Sequence, residues 1–143
     1  MSEESIRIRP GVLTAIEQHA RATAPAECCG LLIARDGCID EAVPAPNQAA
    51  DPVRHYEISP RVYLDAIKRC RGTDAIVIGA YHSHPRSAPE PSATDRASAF
   101  SDFLYLIAGS VGGATNVEIR AYRLRHGNFQ GVGLVPHPEE PQT

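Results

Sequence analysis

A strand-like apolar run that ends in two histidines and a proline limits the fold of this chain most strongly. Residues 75–81 are β-branched, small or aromatic, which is typical of a buried strand. Successive side chains of a strand alternate between its faces, so His82 and His84 would share one face, with Cα atoms about 7 Å apart. Pro85 ends regular pairing because it has no N–H to donate. The pattern therefore places two imidazoles side by side at a strand end.

A stiff loop and a helix start follow this strand. Pro89 and Pro91 restrict the loop over residues 85–91, so the loop loses little entropy when it adopts one geometry. Ser92 opens a Ser-x-x-acid pattern, which is typical of a helix N-terminus and puts Asp95 in the first helical turn. Asp95 is thereby held in place and can act as a third ligand beside the two histidines.

Two imidazoles and one carboxylate are the ligand types of a catalytic metal site. A zinc site with three protein ligands keeps its fourth position for water, whose pKa falls from about 15.7 to about 7. Each fragment alone is a weak signal, because His-x-His occurs by chance and Ser-x-x-Asp is more often only a helix cap. Together they predict one zinc ion per chain, bound by His82, His84 and Asp95.

This arrangement resembles the signature of the JAMM or MPN-plus metallopeptidases, a glutamate upstream of His-x-His-Pro, seven residues and Ser-x-x-Asp. Seven residues separate His84 from Ser92, and two separate Ser92 from Asp95. The segment Glu-Cys-Cys-Gly-Leu-Leu, which starts at Glu27, is similar to the strand that carries the catalytic glutamate of that family. The resemblance covers most of the chain.

The resemblance also implies catalytic roles outside the three metal ligands. Glu27 would handle the proton of the bound water, and Ser92 would help to hold the oxyanion. Glu90 in the metal loop and Glu57 in a strand-like segment are the alternatives to Glu27. Glu27 is favoured mainly by the resemblance, and also because it heads an apolar run, where a carboxylate costs free energy unless it has a partner or a task.

The order of the predicted elements indicates a mixed α/β fold. One helix is predicted before residue 25, a second after Pro60, and a third from Ser92. Residues 43–52, which include three prolines, are predicted to form a loop. Strands are predicted over residues 5–9, 31–33, 54–58, 75–84, 103–107, 117–124 and 129–135. This order agrees with the MPN fold that the resemblance implies, a mixed, curved sheet flanked by helices.

Length and charge limit the remaining interpretations. The 143 residues are 43% hydrophobic and 22% charged, which indicates one domain with a substantial core. We expect a single JAMM/MPN domain over residues 1–135 and a flexible C-terminal tail over 136–143. A net charge of −3, with one basic cluster at a helix end, argues against nucleic acid as a partner.

The chain is expected to work in the cytoplasm without a membrane partner. No apolar stretch approaches the roughly 18 residues of a membrane span, and the acidic N-terminus lacks the apolar region of a signal peptide. The cysteines lack Cys-x-x-Cys spacing and are expected to be reduced and buried. They are Cys28, Cys29, Cys38 and Cys70.

The expected substrate comes from the resemblance alone. Family members cut peptide or isopeptide bonds after the C-terminal glycines of ubiquitin-like proteins. The chain resembles small bacterial members that process ubiquitin-like sulfur carriers ending in Gly-Gly, including sulfur-carrier-protein cysteine hydrolases. Such a tail could bind as an added β-strand.

Two other functions stay open, together with the oligomeric state. A RadC-like JAB-domain protein shares the motif, but this chain lacks both the room and the basic charge for an added DNA-binding domain. A catalytically silent MPN scaffold would be expected to lack a ligand or the glutamate, and none is missing here. The sequence is compatible with a homodimer and does not require one.

Overall fold

The structure is a computed structural model that describes residues 4–110 and 117–137. Its helices are α1 (Pro10–Thr23), α2 (Pro60–Cys70) and α3 (Ala93–Ser98). Its strands are β1 (Ser5–Ile8), β2 (Cys29–Arg35), β3 (Cys38–Ala45), β4 (Ala75–His84), β5 (Leu104–Ser110), β6 (Val117–Arg125) and β7 (Asn128–Pro136). The mixed α/β class predicted from the sequence is confirmed.

The strands form one mixed sheet that closes into a barrel in the order β1-β3-β2-β4-β5-β6-β7. Strand β1 closes the barrel because it pairs in parallel with β3 on one side and with β7 on the other. Strand β4 lies between β2, which is antiparallel to it, and β5, which is parallel. The strand that ends in the two histidines is therefore a central one.

A helix covers each face of the central strands. On one face Ile16 of α1 belongs to the same core as Leu32, and on the other Ala66 of α2 belongs to the same core as Leu31. Leu31 and Leu32 are neighbours in β2 and serve different cores, as the alternation of strand side chains requires. Six of the seven residues of β2 are buried, which explains why its sequence is continuously apolar rather than alternating.

Residues 54–58 are not a strand, so that prediction is wrong. They belong to an irregular loop over residues 46–59 that connects β3 to α2. Backbone groups in this loop bond to the side chain of Asn47 instead of to a neighbouring strand, as at the N–H of Glu57. Strand β3 continues to Ala45, into the stretch that was predicted to be a loop.

The predicted tail begins within the last strand. Pro136 is the final residue of β7 and pairs with Ile8, and the N–H of His137 donates to the carbonyl of Ile8 at 2.8 Å. The rest of the predicted tail, residues 138–143, lies outside the described residues.

The expectation for the cysteines is confirmed, since Cys28, Cys29, Cys38 and Cys70 are buried and unpaired with one another. Among the helices in the described ranges, none has both the length and the apolar character needed to cross a membrane.

The loop after β4 is pressed onto the neighbouring strands. Pro89 is fully buried, and its carbonyl accepts a hydrogen bond from the hydroxyl of Tyr122 at 2.7 Å. The N–H of Ser110 donates to the carbonyl of Ser87 at 2.8 Å. Gly109 lies directly beneath this loop, and a Cβ atom there would run into the backbone of Pro89. The close approach of the loop therefore requires glycine at position 109.

Gly109→Ala should lower the free energy of unfolding by about 1–3 kcal/mol, because the added methyl group meets backbone that cannot move without displacing the loop. Gly131→Ala is the matched control, since no heavy atom lies within 4 Å of a Cβ added on β7 at that position. The control should shift the free energy by less than about 1 kcal/mol. Urea denaturation of both variants measures the difference, and equal effects would contradict the packing described.

Candidate metal centre

His82 and His84 lie at the end of β4 with their rings directed to the same place. Their Nε2 atoms are 3.1 Å apart, as the two-residue spacing on a strand predicts. Strand β2 runs antiparallel beside β4 with Cys29 opposite His82, so the same register extended by two residues puts Glu27 opposite His84. Glu27 is buried, with 6% of its surface exposed.

Asp95 reaches both histidines from the first turn of α3. Its N–H donates to Ser92 Oγ at 3.0 Å, and the N–H of Ser92 donates to Asp95 Oδ2 at 2.9 Å, which forms a capping box. The helix start predicted from the Ser-x-x-Asp pattern is confirmed. Asp95 Oδ1 lies 3.2 Å from His82 Nε2, and Oδ2 lies 3.1 Å from His84 Nε2.

The spacing of these groups suits a single small cation. Ligand atoms that are each about 2.0–2.1 Å from a tetrahedral zinc ion lie about 3.3 Å from one another. The separations among His82 Nε2, His84 Nε2 and the carboxylate of Asp95 are 3.1–3.2 Å. Imidazole and carboxylate are also the donor types that zinc accepts. The residues present therefore fit this metal.

Glu27 is a second carboxylate at the same centre. A ligand atom of Glu27 lies within 4.8 Å of those of His82 and His84, so these three residues also satisfy the spacing of a metal site. The shorter distances from Asp95 to both rings make Asp95 the better third ligand. Glu27 then lies just beyond the ligands, at a distance that one water molecule can bridge.

Burial and contact with the two histidines set the protonation of Asp95 and Glu27. Burial alone would raise the pKa of Asp95, but hydrogen bonds from His82 and His84 outweigh it and hold that pKa well below its usual range. Burial raises the pKa of Glu27 to about 7, and the nearby His84 offsets part of this effect. Asp95 is thus anionic near neutral pH, whereas Glu27 can gain or lose a proton there.

The two histidines differ in their environments. Burial lowers the pKa of His82, which favours the neutral ring that binds metals. Burial would also lower the pKa of His84, but its hydrogen bond to Asp95 and another to the carbonyl of Ala88 raise it. The bond to Ala88 also fixes the plane of the His84 ring, as the outer hydrogen bond of a metal ligand commonly does.

Tyr56 was not predicted as a site residue, yet its ring stacks on that of His82. The ring centroids are 4.2 Å apart and the planes differ by 18°. His82 Nδ1 is buried and has no hydrogen-bond partner among the described residues, so the stacking orients this imidazole in place of a second hydrogen bond. Burial raises the pKa of Tyr56, which keeps its phenol neutral. No sequence pattern distinguishes such a tyrosine from an ordinary core aromatic.

Asn47, also missed from the sequence, ties the candidate base to the loop that carries Tyr56. Its Nδ2 donates to the carbonyl of Glu27 at 3.0 Å and to that of His55 at 2.9 Å. Its Oδ1 accepts from the N–H of Glu57 at 3.1 Å. One side chain thus holds the backbone at Glu27 and on both sides of Tyr56, and places the two residues relative to each other.

Glu27 and His84 open into a cleft of about 330 Å³, with Ser92 on its wall. Ser92 Oγ already accepts a hydrogen bond from the N–H of Asp95, so its hydroxyl hydrogen remains available to donate. A larger depression of about 550 Å³ on β6 and β7 contains neither the histidines nor the carboxylates of this centre. The smaller cleft is therefore the one that can present a molecule to the cluster.

The chain is similar in sequence to a protein family and to several named proteins. Residues 9–125 match the Prok-JAB family, described as prokaryotic homologs of the JAB domain. A desampylase of Haloferax volcanii is 34% identical over 77% of this chain and 81% of the relative. A probable TtuB-protein conjugate cleaving protease of Thermus thermophilus is 31% identical over 87% of this chain and 78% of the relative. A CysO-cysteine peptidase of Mycobacterium tuberculosis is 27% identical over 84% of this chain and 83% of the relative.

Solved structures share the fold. The solution structure of a protein from Desulfitobacterium hafniense has a TM-score of 0.82 at 28% identity and covers 94% of both chains. The crystal structure of a JAB1/MPN domain protein from Archaeoglobus fulgidus has a TM-score of 0.59 at 22% identity, over 91% of this chain and 99% of that one. The MPN fold expected from the motif is confirmed.

Asn47→Ala should lower the free energy of unfolding by about 1–3 kcal/mol, because the backbone groups at Glu27 and around Tyr56 lose their partners. Asn47→Asp keeps the size and the acceptor but removes the donors and brings a negative charge toward carbonyl oxygens. It should be no better tolerated than alanine. Urea denaturation tests both variants, and wild-type stability of N47D would show that the donated hydrogen bonds do not hold the loop.

Proposed function

Because this chain belongs to the prokaryotic JAB-domain family of JAMM-type peptidases, we propose that it is a zinc enzyme acting on a ubiquitin-like sulfur-carrier protein. It hydrolyses the amide bond after the C-terminal Gly-Gly of the carrier, for example to release cysteine. The observation that carries the proposal is the convergence of His82, His84 and Asp95 within 3.2 Å of one another beside the buried Glu27. The names of the three relatives support the substrate class.

His82, His84 and Asp95 would bind one zinc ion per chain. Both imidazoles present Nε2 to the site, and the carboxylate faces both of them. When bound, zinc lowers the pKa of a coordinated water to about 7 and polarises a substrate carbonyl. The ionised state of Asp95 supports this assignment, because a carboxylate binds a metal in its anionic form.

Glu27 is the general base of the proposed reaction. Its carboxylate accepts a proton from the attacking water and returns it to the leaving amine. A pKa of about 7 supports both halves of this role, since the protonated and ionised forms are then both available at neutral pH. The backbone of Glu27 is held at its N–H by the carbonyl of Pro52 at 2.8 Å and at its carbonyl by Asn47.

Ser92 donates a hydrogen bond to the oxyanion that forms at the scissile carbonyl. Its place on the wall of the cleft supports this role, as does its free hydroxyl hydrogen. The helix cap holds the oxygen in position before substrate arrives, so little reorganisation is needed. Loss of one such donor typically costs about 10²–10³ in rate.

The buried thiols bear on the compartment in which the protein works. The four cysteines are unpaired with one another, which supports a reducing compartment such as the cytoplasm.

A silent scaffold would be expected to have lost a ligand or the glutamate, whereas this chain keeps all of them. The barrel closes on itself, so a carrier tail could add as a strand only where one strand extends beyond its neighbour.

Glu27→Gln should retain zinc but lower kcat for cleavage of CysO-cysteine by about 10²–10⁴, because the amide cannot carry the proton. Glu90→Gln is the matched control, since Glu90 is exposed and lies 3.8 Å from Arg120. Intact-mass measurement of the loss of cysteine gives the rate. An equal loss of kcat in the two variants would contradict the assignment of Glu27 as the general base.

A chelator should abolish cleavage by the wild-type protein, and zinc should restore it, because the proposed reaction needs the metal to polarise the carbonyl and to lower the pKa of the attacking water. Metal content measured beside activity separates the outcomes. Cleavage that persists without metal would contradict the zinc mechanism. Zinc binding without cleavage of any carrier conjugate would favour the scaffold instead.

A further inference from the structure

Two arginines are among the residues that line the cleft beside the candidate metal centre. Arg54 comes from the loop between β3 and α2, and Arg86 comes from the loop after β4. The other lining residues are Pro25, Glu27, Val53, His84, Pro85, Ser87 and Ser92. The chain as a whole has a net charge of −3, so this pair of cations is not part of a generally basic surface.

Neither arginine is held by a short or buried ion pair. Arg54 pairs with Asp51, but the atoms are 3.8 Å apart and the side chains are 80% and 51% exposed, so solvent screens the pair. Arg86 is exposed and forms no ion pair with any residue in the described ranges 4–110 and 117–137. Of the other carboxylates nearby, Asp95 faces the histidines, and Glu27 lines the same cleft on the side of the candidate metal centre. Both guanidinium groups are available to an anion that enters the cleft.

The place of Glu27 identifies which part of a substrate would meet these cations. Glu27 returns a proton to the leaving amine in the proposed reaction, so that amine lies in the same cleft. In a free amino acid the carboxylate carbon is only about 2.5 Å from the amine nitrogen. The carboxylate of a released amino acid therefore stays inside the cleft. In an isopeptide the leaving amine is the end of a lysine side chain, which has no carboxylate near it.

We propose that Arg54 and Arg86 form a carboxylate subsite on the leaving-group side of the scissile bond. The preferred substrate is then a carrier whose C-terminal glycine bears a single amino acid with a free α-carboxylate. This inference rests on the proposed function and narrows its substrate class. A cleft of about 330 Å³ is at the small end of the range of about 300–1,000 Å³ for ligand pockets, which suits one amino acid better than a folded protein.

Guanidinium groups are well matched to this task. Their planar N–H groups can donate two parallel hydrogen bonds to a carboxylate, which a carboxamide cannot accept in the same way. The high exposure of Arg54 limits the binding free energy that its contact with a carboxylate contributes, because solvent competes for both partners. We therefore expect a preference of roughly tenfold in kcat/KM, equivalent to about 1.4 kcal/mol.

The test compares two substrates that differ only at the terminal group. CysO-cysteine with its free carboxylate and the same conjugate ending in cysteine carboxamide are each cleaved by the zinc-loaded wild-type protein. The variants are Arg54→Gln, Arg86→Gln and the double variant. Arg71→Gln is the control, since Arg71 lies beside the first residue of β4 and the metal centre lies at the last.

The ratio of kcat/KM for carboxylate over carboxamide should be about ten in the wild type and in R71Q. It should fall in each single variant and approach one in the double variant, because the variants lose more kcat/KM on the carboxylate than on the carboxamide. A ratio near one in the wild type, or an unchanged ratio in the double variant, would overturn the subsite and leave the proposed function standing. An equal loss on both substrates would show a structural role instead. Cleavage of neither substrate by the wild type would overturn the proposed function itself.

Discussion

The contact of one carboxylate with two imidazoles is the interaction on which the rest of the structure depends. Asp95 lies 3.1–3.2 Å from the Nε2 atoms of both His82 and His84, although the three residues come from a strand and a helix separated by a loop. Buried polar groups of this kind are costly unless each has a partner or a metal. The loop geometry, the helix cap and the strand end all serve to bring these groups together.

Two further sets of contacts, one at Glu27 and one at Gly109, hold the segments around this cluster in place. The antiparallel register of β2 and β4 brings Glu27 alongside His84, and Asn47 fixes its backbone relative to the loop that carries Tyr56. On the opposite side Gly109 lets the loop after β4 approach β5 closely. Glu27 therefore lies just before β2, in a different segment from the candidate ligands His82, His84 and Asp95, and is held by separate contacts. A base and a metal can then be placed independently, which is what a water-activating site requires.

Local patterns predicted that His82, His84 and Asp95 lie close together, and tertiary packing decided the rest. Strand parity placed His82 and His84 together, and the Ser-x-x-Asp pattern placed Asp95, because both depend on residues close in sequence. The strand predicted over 54–58 was wrong because its backbone bonds to Asn47, a partner that no periodicity reveals. Barrel closure likewise depends on β1 pairing with β3 and β7, contacts between distant segments that a single sequence does not specify.

Anomalous diffraction at the zinc absorption edge, from crystals of the protein grown with zinc, tests the central claim most directly. The account predicts one strong peak per chain, in contact with His82 Nε2, His84 Nε2 and the carboxylate of Asp95, with Glu27 close by but outside direct contact. A zinc peak at another place, or no peak between the two histidines, would contradict it.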